Sequence, residues 1–271
     1  MPTEVEGHHT EIYEGLASLF LLFSTTWNTI PPVFLTADGA KVMRTKRQRT
    51  RGLFITLEGV EGSGKSTQIR HLADVLSQAG YRVLQTREPG GTPSAEAIRH
   101  ILLAAPSQEP ITPRAEALLI FAARCQHVTH LITPALRRAT VVLCDRFSDS
   151  TLAYQGFARG LDLEWLVAAN RVATNGLTPD LTLVLDVPVS VGLARRRADR
   201  GQQNRLDRET ARFHRKVRRG FLTLAAEAPG RMKIVNANRP SQLVQDEITQ
   251  IVLGWLARPR RSPRRSSHAL S

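Results

Sequence analysis

The sequence contains two cysteines in 271 residues, Cys125 and Cys144, too few for the disulfide framework of a small secreted domain. It has no long hydrophobic run. The most apolar stretch of the N-terminal region, Gly15 to Phe23, is nine residues long, against the roughly 20 that a membrane-spanning helix needs. No basic residue precedes that stretch and no small-residue cleavage pattern follows it, which argues against a secretion signal. Aromatic residues are sparse at 6%, but 42% of the chain is hydrophobic, enough for one full-sized core and too much for a disordered polymer. Internal repeats are absent. Acidic residues are under-represented: 24 against 37 Lys and Arg, a net charge of +13.

That excess is local. Residues 1–50, 51–194 and 220–257 are each balanced, whereas residues 195–219 hold eleven basic groups against three acidic, and the last fourteen hold five arginines and no acid. A basic surface spread over the molecule, as a nucleic-acid-binding domain would carry, is therefore excluded, and nucleic acid is not the expected partner. Residues 1–50 end in Pro31-Pro32 and a basic connector and read as a weakly ordered extension; Met43 would serve as a start just before the first strand. Residues 258–271 lack apolar periodicity and read as a disordered basic tail. One domain is expected over 51–257.

Within it, short apolar runs alternate with helical periods. Strands are expected at 53–57, from Tyr81 to Leu84, at 141–144, 181–186 and 233–235, and helices at 68–79, 113–138 and 241–256. Near-continuous apolar strands separated by helices imply a parallel sheet covered on both faces, an α/β fold.

Directly after the first strand, Gly59-Val60-Glu61-Gly62-Ser63-Gly64-Lys65-Ser66 fits G-x-x-x-x-G-K-[ST], with Thr67 continuing into a helix. The glycines let backbone N–H groups turn toward phosphate oxygens, Lys65 reaches the β- and γ-phosphates, and Ser66 ligates Mg²⁺. The motif predicts nucleoside triphosphate binding without separating kinase, GTPase or motor. A GTPase base-reading motif, Asn/Thr-Lys-x-Asp, is absent. The short chain, with its basic segment late in sequence, favours a small-molecule kinase.

Three further segments narrow the reading. Thr86-Arg87-Glu88-Pro89-Gly90-Gly91-Thr92 follows the second strand; Asp145-Arg146-Phe147-Ser148-Asp149-Ser150-Thr151-Leu152-Ala153-Tyr154-Gln155-Gly156 follows the third; Pro179-Asp180-Leu181-Thr182-Leu183 opens the fourth. With the P-loop, in this order over roughly residues 52–256, they resemble the bacterial thymidylate kinases. The resemblance implies a P-loop fold with a five-stranded parallel sheet and a lid at about 195–209. It also implies MgATP-dependent conversion of dTMP to dTDP in DNA-precursor synthesis, a cytoplasmic location and a homodimer built on the long 113–138 helix.

It also implies site residues. Glu61 would hold the acceptor's 3′-hydroxyl, although a carboxylate at a helix N-terminus is favoured by the dipole alone. Asp145 would hold Mg²⁺ with Ser66, and Arg87 and Arg146 the acceptor phosphate. Pro89 would shape the pocket wall, while Ser150, Thr151, Tyr154 and Gln155 would line the nucleoside site, with Tyr154 where a 2′-hydroxyl would sit. Arg124 would bond the thymine carbonyl, with either Phe121 or Ile120 against the base. The P-loop carries no basic residue at its variable positions, so the catalytic arginine would come from the lid: Arg200 first, Arg205 second. Here the chain departs from the family pattern, with Asn204 and Asp207 where carboxylates of the order Asp, Glu are usual. Two rivals remain: a P-loop kinase of another nucleotide or deoxynucleoside, and a non-catalytic nucleotide- or nucleic-acid-binding protein.

Overall fold

The computed structural model describes residues 51–104, 109–198 and 205–257. The N-terminal extension, the C-terminal tail and Arg200 lie outside the described residues.

Strands β1 (Phe54–Glu58), β2 (Val83–Arg87), β3 (Val141–Asp145), β4 (Leu181–Asp186) and β5 (Met232–Asn236) form one sheet in the order β2-β3-β1-β4-β5. Every pairing is parallel, as expected. The three central strands, FITLE, VVLCD and LTLVLD, are buried almost throughout, while the outer strands β2 and β5 are partly open. That is the pattern of a sheet covered on both faces. Observed boundaries lie close to those read from the sequence, except that β2 runs from Val83 to Arg87, later than the expected Tyr81 to Leu84.

Helix α1 (Lys65–Gln78) follows the P-loop and buries Ile69, Leu72, Ala73 and Leu76 against the sheet. It stops at Gly80, whose φ of 82° suits glycine, with the Tyr81 N–H donating back to the Leu76 carbonyl at 3.0 Å. Helices α2 (Pro93–Leu103) and α3 (Pro113–His127) share one start signal: Thr92 and Thr112 accept from the third residue on, and a proline follows at the first helical position. Such a cap contributes about 0.5–2 kcal/mol. The expected 113–138 helix is not uniform. It widens to a π-helical turn at Val128–Ile132 before closing as α4 (Thr133–Arg137).

After β3, α5 (Ser148–Thr151) runs into a second wide stretch, Leu152–Ala158, and then α6 (Leu163–Thr174), capped by Asp162. Helix α7 (Val189–Ala198) runs into the expected lid, a short 3₁₀ turn at Leu206–Arg208 lies at its end, and α8 (Ala211–Glu227) and α9 (Ser241–Ala257) complete the domain. Among the described residues no helix is long and apolar enough to cross a membrane.

The topology gathers the functional segments at one end. In register, Leu57 and Arg87 flank Asp145 on either side, so the loops after β1, β2 and β3 meet at the carboxyl edge, where open α/β sheets bind ligands. The P-loop is pinned there by α7: a Cβ on Gly192 would fall 2.4 Å from the Glu61 carbonyl oxygen, and one on Gly62 2.0 Å from the Gly192 carbonyl oxygen. Two glycine backbones thus touch where no side chain fits. Gly192→Ala is expected to destabilise the fold by about 1–3 kcal/mol and to lower the melting temperature in calorimetry; a melt equal to the wild type would contradict this contact.

Candidate active site

The P-loop glycines Gly59, Gly62 and Gly64 have φ of 142°, 69° and 94°, conformations that side-chain-bearing residues rarely adopt. The loop closes over Lys65, whose Nζ donates to the carbonyls of Gly59 at 3.1 Å and Val60 at 3.0 Å and to Ser63 Oγ at 3.3 Å. Burial and then the nearby Arg146 cation lower the Lys65 pKa below its ordinary value. Val60 and Ser63 are buried, whereas Gly64, Ser66 and Thr67 face solvent at the start of α1. Ser66 Oγ donates to Asp145 Oδ2 at 2.8 Å, so a hydroxyl and a carboxylate from the ends of two neighbouring elements stand together.

Opposite the loop, Arg146 follows Asp145 in a left-handed conformation, φ 70°, which costs a non-glycine residue on the order of 1 kcal/mol. Its Nη2 donates to Glu61 Oε1 at 2.8 Å and its Nη1 to the Gly59 carbonyl at 3.0 Å and Ser150 Oγ at 3.3 Å. The guanidinium lies over the Tyr154 ring at 5.0 Å, and the Tyr154 hydroxyl donates to Glu61 Oε1 at 3.1 Å. Burial alone would raise the Glu61 carboxyl, but Arg146, Lys65 and the Tyr154 hydroxyl outweigh it and hold it at about 2. Ser150 also donates to Glu58 Oε2 at 2.5 Å, and the Phe147 N–H donates to Glu58 Oε1 at 2.8 Å. Glu58 is fully buried; burial and the neighbouring Asp149 push its carboxyl up to about 8.

Arg87, at the end of β2, makes a bidentate pair with Glu96 at 2.7 and 3.0 Å. Beside it Arg99 donates to the Pro89 carbonyl at 2.9 Å; burial and the Arg87 cation lower its pKa. Arg87, Arg99 and Arg146 therefore form one cationic corner. The Glu88–Pro89 bond that borders it is cis.

Arg124 lies deeper, 2% exposed. Its Nε donates to Glu88 Oε2 at 2.7 Å, Nη1 to Asn170 Oδ1 at 2.8 Å, and Nη2 to the Phe147 carbonyl at 3.1 Å and Thr151 Oγ1 at 3.0 Å. Phe121 is buried with its ring centroid 5.9 Å from the Arg124 guanidinium carbon, while Ile120 is half-buried; of the two residues left open by the sequence, Phe121 borders the arginine. Gln155 is buried, its Nε2 donating to Glu116 Oε1 at 2.7 Å.

Around the expected lid, Arg205 donates to the Leu102 carbonyl at 3.0 Å and to the Glu116 carboxylate. The structure therefore engages this second-choice arginine with α2 and α3 and records no bond from it to the P-loop. Arg196 pairs with Asp207 at 2.8 Å and Arg218 with Asp186 at 2.7 Å. His214 on α8 is buried, and burial lowers its pKa.

The chain has known relatives. Residues 57–248 match the family model for thymidylate kinase. The chain belongs to the thymidylate kinase family. It is 53% identical over 210 residues to a thymidylate kinase of Thermomicrobium roseum, covering 78% of this chain and 99% of that protein. It is 52% identical over 209 residues to one of Pseudomonas fluorescens, with 77% and 99% covered. The crystal structure of thymidylate kinase from Ehrlichia chaffeensis superimposes with a TM-score of 0.61 at 31% identity, covering 74% of this chain and 98% of that one.

Against the thymidylate kinase frame, sequence reading passed over Glu58, Glu88, Arg99, Glu116 and Asn170. Arg99 was open to discovery: Thr92-Pro93 announces a helix, and Arg99 lies one turn beyond Glu96 on it. The carboxylates Glu58 and Glu116 sit inside otherwise apolar or helical patterns, and only the packing reveals what they accept. Because Glu58 keeps its proton in the folded state up to about pH 8 while an exposed glutamate loses it near 4.5, its contribution to stability is full below pH 4.5 and is lost as pH rises through about 8. Thermal melts across that range are expected to show the decline in the wild type and a flatter profile in Glu58→Gln; parallel profiles would refute the assignment.

Proposed function

We propose that the chain transfers the γ-phosphoryl group of ATP to dTMP, giving ADP and dTDP. The observation that carries this is a P-loop whose Gly59 and Glu61 are bonded directly by Arg146 of a cationic corner, in a member of the thymidylate kinase family. An oxygen of the dTMP phosphate attacks the γ-phosphorus, the bond from that phosphorus to the β,γ-bridging oxygen breaks, and ADP leaves. The acceptor phosphate has lost its second proton at neutral pH, so no general base is required. Catalysis then consists of aligning two polyanions and neutralising the charge on the transferring group.

In this reading Gly59 to Thr67 hold the ATP phosphates, and Lys65 exchanges its loop carbonyls for phosphate oxygens. Arg87, Arg99 and Arg146 hold the acceptor phosphate. Glu61, ionised and shared with Arg146 and Tyr154, takes the deoxyribose 3′-hydroxyl, and Tyr154 occupies the space a 2′-hydroxyl would need. Four of the five Arg124 N–H groups are engaged by Glu88, Asn170, Phe147 and Thr151. The remaining Nη1 hydrogen is a fixed donor. It suits a base carbonyl and opposes the amino group of cytosine. Arg200 is the lid arginine assigned to the transition state, since Arg205 has other partners.

The donor set also fits Mg²⁺. Ser66 and Asp145 offer a hydroxyl and a carboxylate, and no group of three or more metal-ligating side chains occurs among the described residues. Mg²⁺ is a hard ion that uses one or two protein oxygens and completes its shell with phosphates and water. Bound there, it would neutralise phosphate charge; the protein's part is to hold Ser66 and Asp145 in line with the P-loop.

A homodimer accords with apolar side chains left exposed on adjoining helices: Leu118 on α3, and Val167 and Val172 on α6, at 53%, 46% and 83%. A cytoplasmic site of action accords with a nucleotide-consuming kinase of this family.

ADP release is expected with dTMP, with CMP and thymidine inert. Lys65→Ala should lower turnover by about a hundredfold or more. Equal rates with CMP would sink the substrate assignment, and full activity in the variant would sink the role of the P-loop lysine. Light scattering after gel filtration is expected to give twice the 30.1-kDa chain mass, falling toward a single chain in Val172→Glu; a monomeric wild type would exclude the dimer.

A further inference from the structure

Glu58 makes none of the contacts assigned above to ATP or dTMP. It ends β1, fully buried, and holds the chain just after Arg146 at two points. Its Oε1 accepts the N–H of Phe147 at 2.8 Å and its Oε2 accepts the Ser150 hydroxyl at 2.5 Å. Between the P-loop and those two groups stands Arg146, left-handed at φ 70°, a conformation that persists in a non-glycine residue only where the surroundings impose it. Ser150 Oγ in turn accepts from Arg146 Nη1 at 3.3 Å. The Glu58 carboxyl group thus acts on the guanidinium by two routes, through the backbone it fixes and through the hydroxyl it meets. Phe147 is itself fully buried, so solvent cannot replace a lost acceptor, and an unmet N–H there would drive the turn toward another conformation.

We propose that Glu58 is a positioning residue that sets Arg146 against the acceptor phosphate, an inference that rests on the acceptor role proposed for Arg146. It predicts a defect confined to the acceptor side. Glu61 touches Arg146 directly and is part of the site; Glu58 supplies the frame behind it. Asp149, the acidic neighbour of Glu58, is held by Arg231 at 2.7 and 2.8 Å, so it ties α5 to the residue before β5 and leaves the Arg146 turn to Glu58.

Steady-state kinetics and calorimetric dTMP binding on the full chain test this. Glu58→Gln retains an acceptor for Phe147 and a polar end for Ser150, and its KM and Kd for dTMP should stay within about threefold of wild type. Glu58→Leu removes both acceptors at similar volume, and both constants should rise about tenfold or more with KM for ATP unchanged. In an Arg146→Ala background the leucine substitution should add nothing further, since there is no guanidinium left to place. A Glu58→Leu protein that melts at lower temperature but keeps the wild-type KM for dTMP would overturn the proposal, as would a leucine effect that persists in full without Arg146. Should Glu58→Leu not fold, Ser150→Ala reads the same link: a severalfold rise in Kd for dTMP that vanishes in the Arg146→Ala background supports it, and an unchanged Kd overturns it. Turnover of dTMP by the wild type reports on the function itself, and the variant-to-variant ratios report on Glu58.

Discussion

Glu61 and Arg146 face each other 2.8 Å apart in a site with little access to solvent, their side chains 17% and 16% exposed. Removing both charges from water is costly, and their attraction repays that cost only when the remaining hydrogen-bonding capacity is met as well. The surrounding structure meets part of it. The Gly59 carbonyl and Ser150 take two further guanidinium hydrogens, Tyr154 shares the carboxylate, and the pair joins the P-loop to the end of β3. Burial would raise the carboxyl and depress the guanidinium, yet each moves the opposite way because of the other. Both therefore remain charged, and the P-loop keeps its anionic residue next to a strongly cationic neighbour.

The same pair explains why the two halves of the site hold together before any nucleotide arrives. Lys65 is folded onto its own loop, and Arg87 onto Glu96. The cations that would meet phosphates have internal partners, which offsets the repulsion among Arg87, Arg99, Arg146 and Lys65. Each of those internal bonds can be exchanged for a phosphate oxygen of greater charge.

Most of the sheet was legible in the sequence because its central strands are continuous apolar runs bounded by turn signals, and a parallel sheet buried on both faces leaves no other composition available. The P-loop was legible because its glycines, lysine and serine have a spacing that few other structures demand. Less was visible where function depends on partners distant in sequence. Glu58 meets Ser150 across 92 positions and Arg205 meets Glu116 across 89, and neither pairing leaves a local pattern. Charge counting had the same blind spot. The segment from Arg195 to Arg219 carries +8 along the chain, but Arg205 and Arg218 pair with Glu116 and Asp186, which lie outside it. Part of the apparent excess is balanced in space by carboxylates counted elsewhere. The wide turns at Val128–Ile132 and Leu152–Ala158 were likewise invisible, because the apolar period reads nearly the same through a π-helical turn.

Arg124 is anchored from four directions: by the end of β2 through Glu88, by the turn before α5 through the Phe147 carbonyl, by α5 itself through Thr151 and by α6 through Asn170. The guanidinium proposed to read the base is thus the same group that holds these elements to one another, with one Nη1 hydrogen left over for a ligand. On that proposal, selectivity would be tied to folding rather than carried by an adaptable loop. A lineage seeking a different base at this position would have to rebuild an interior junction, with several coordinated replacements, before any single one became tolerable.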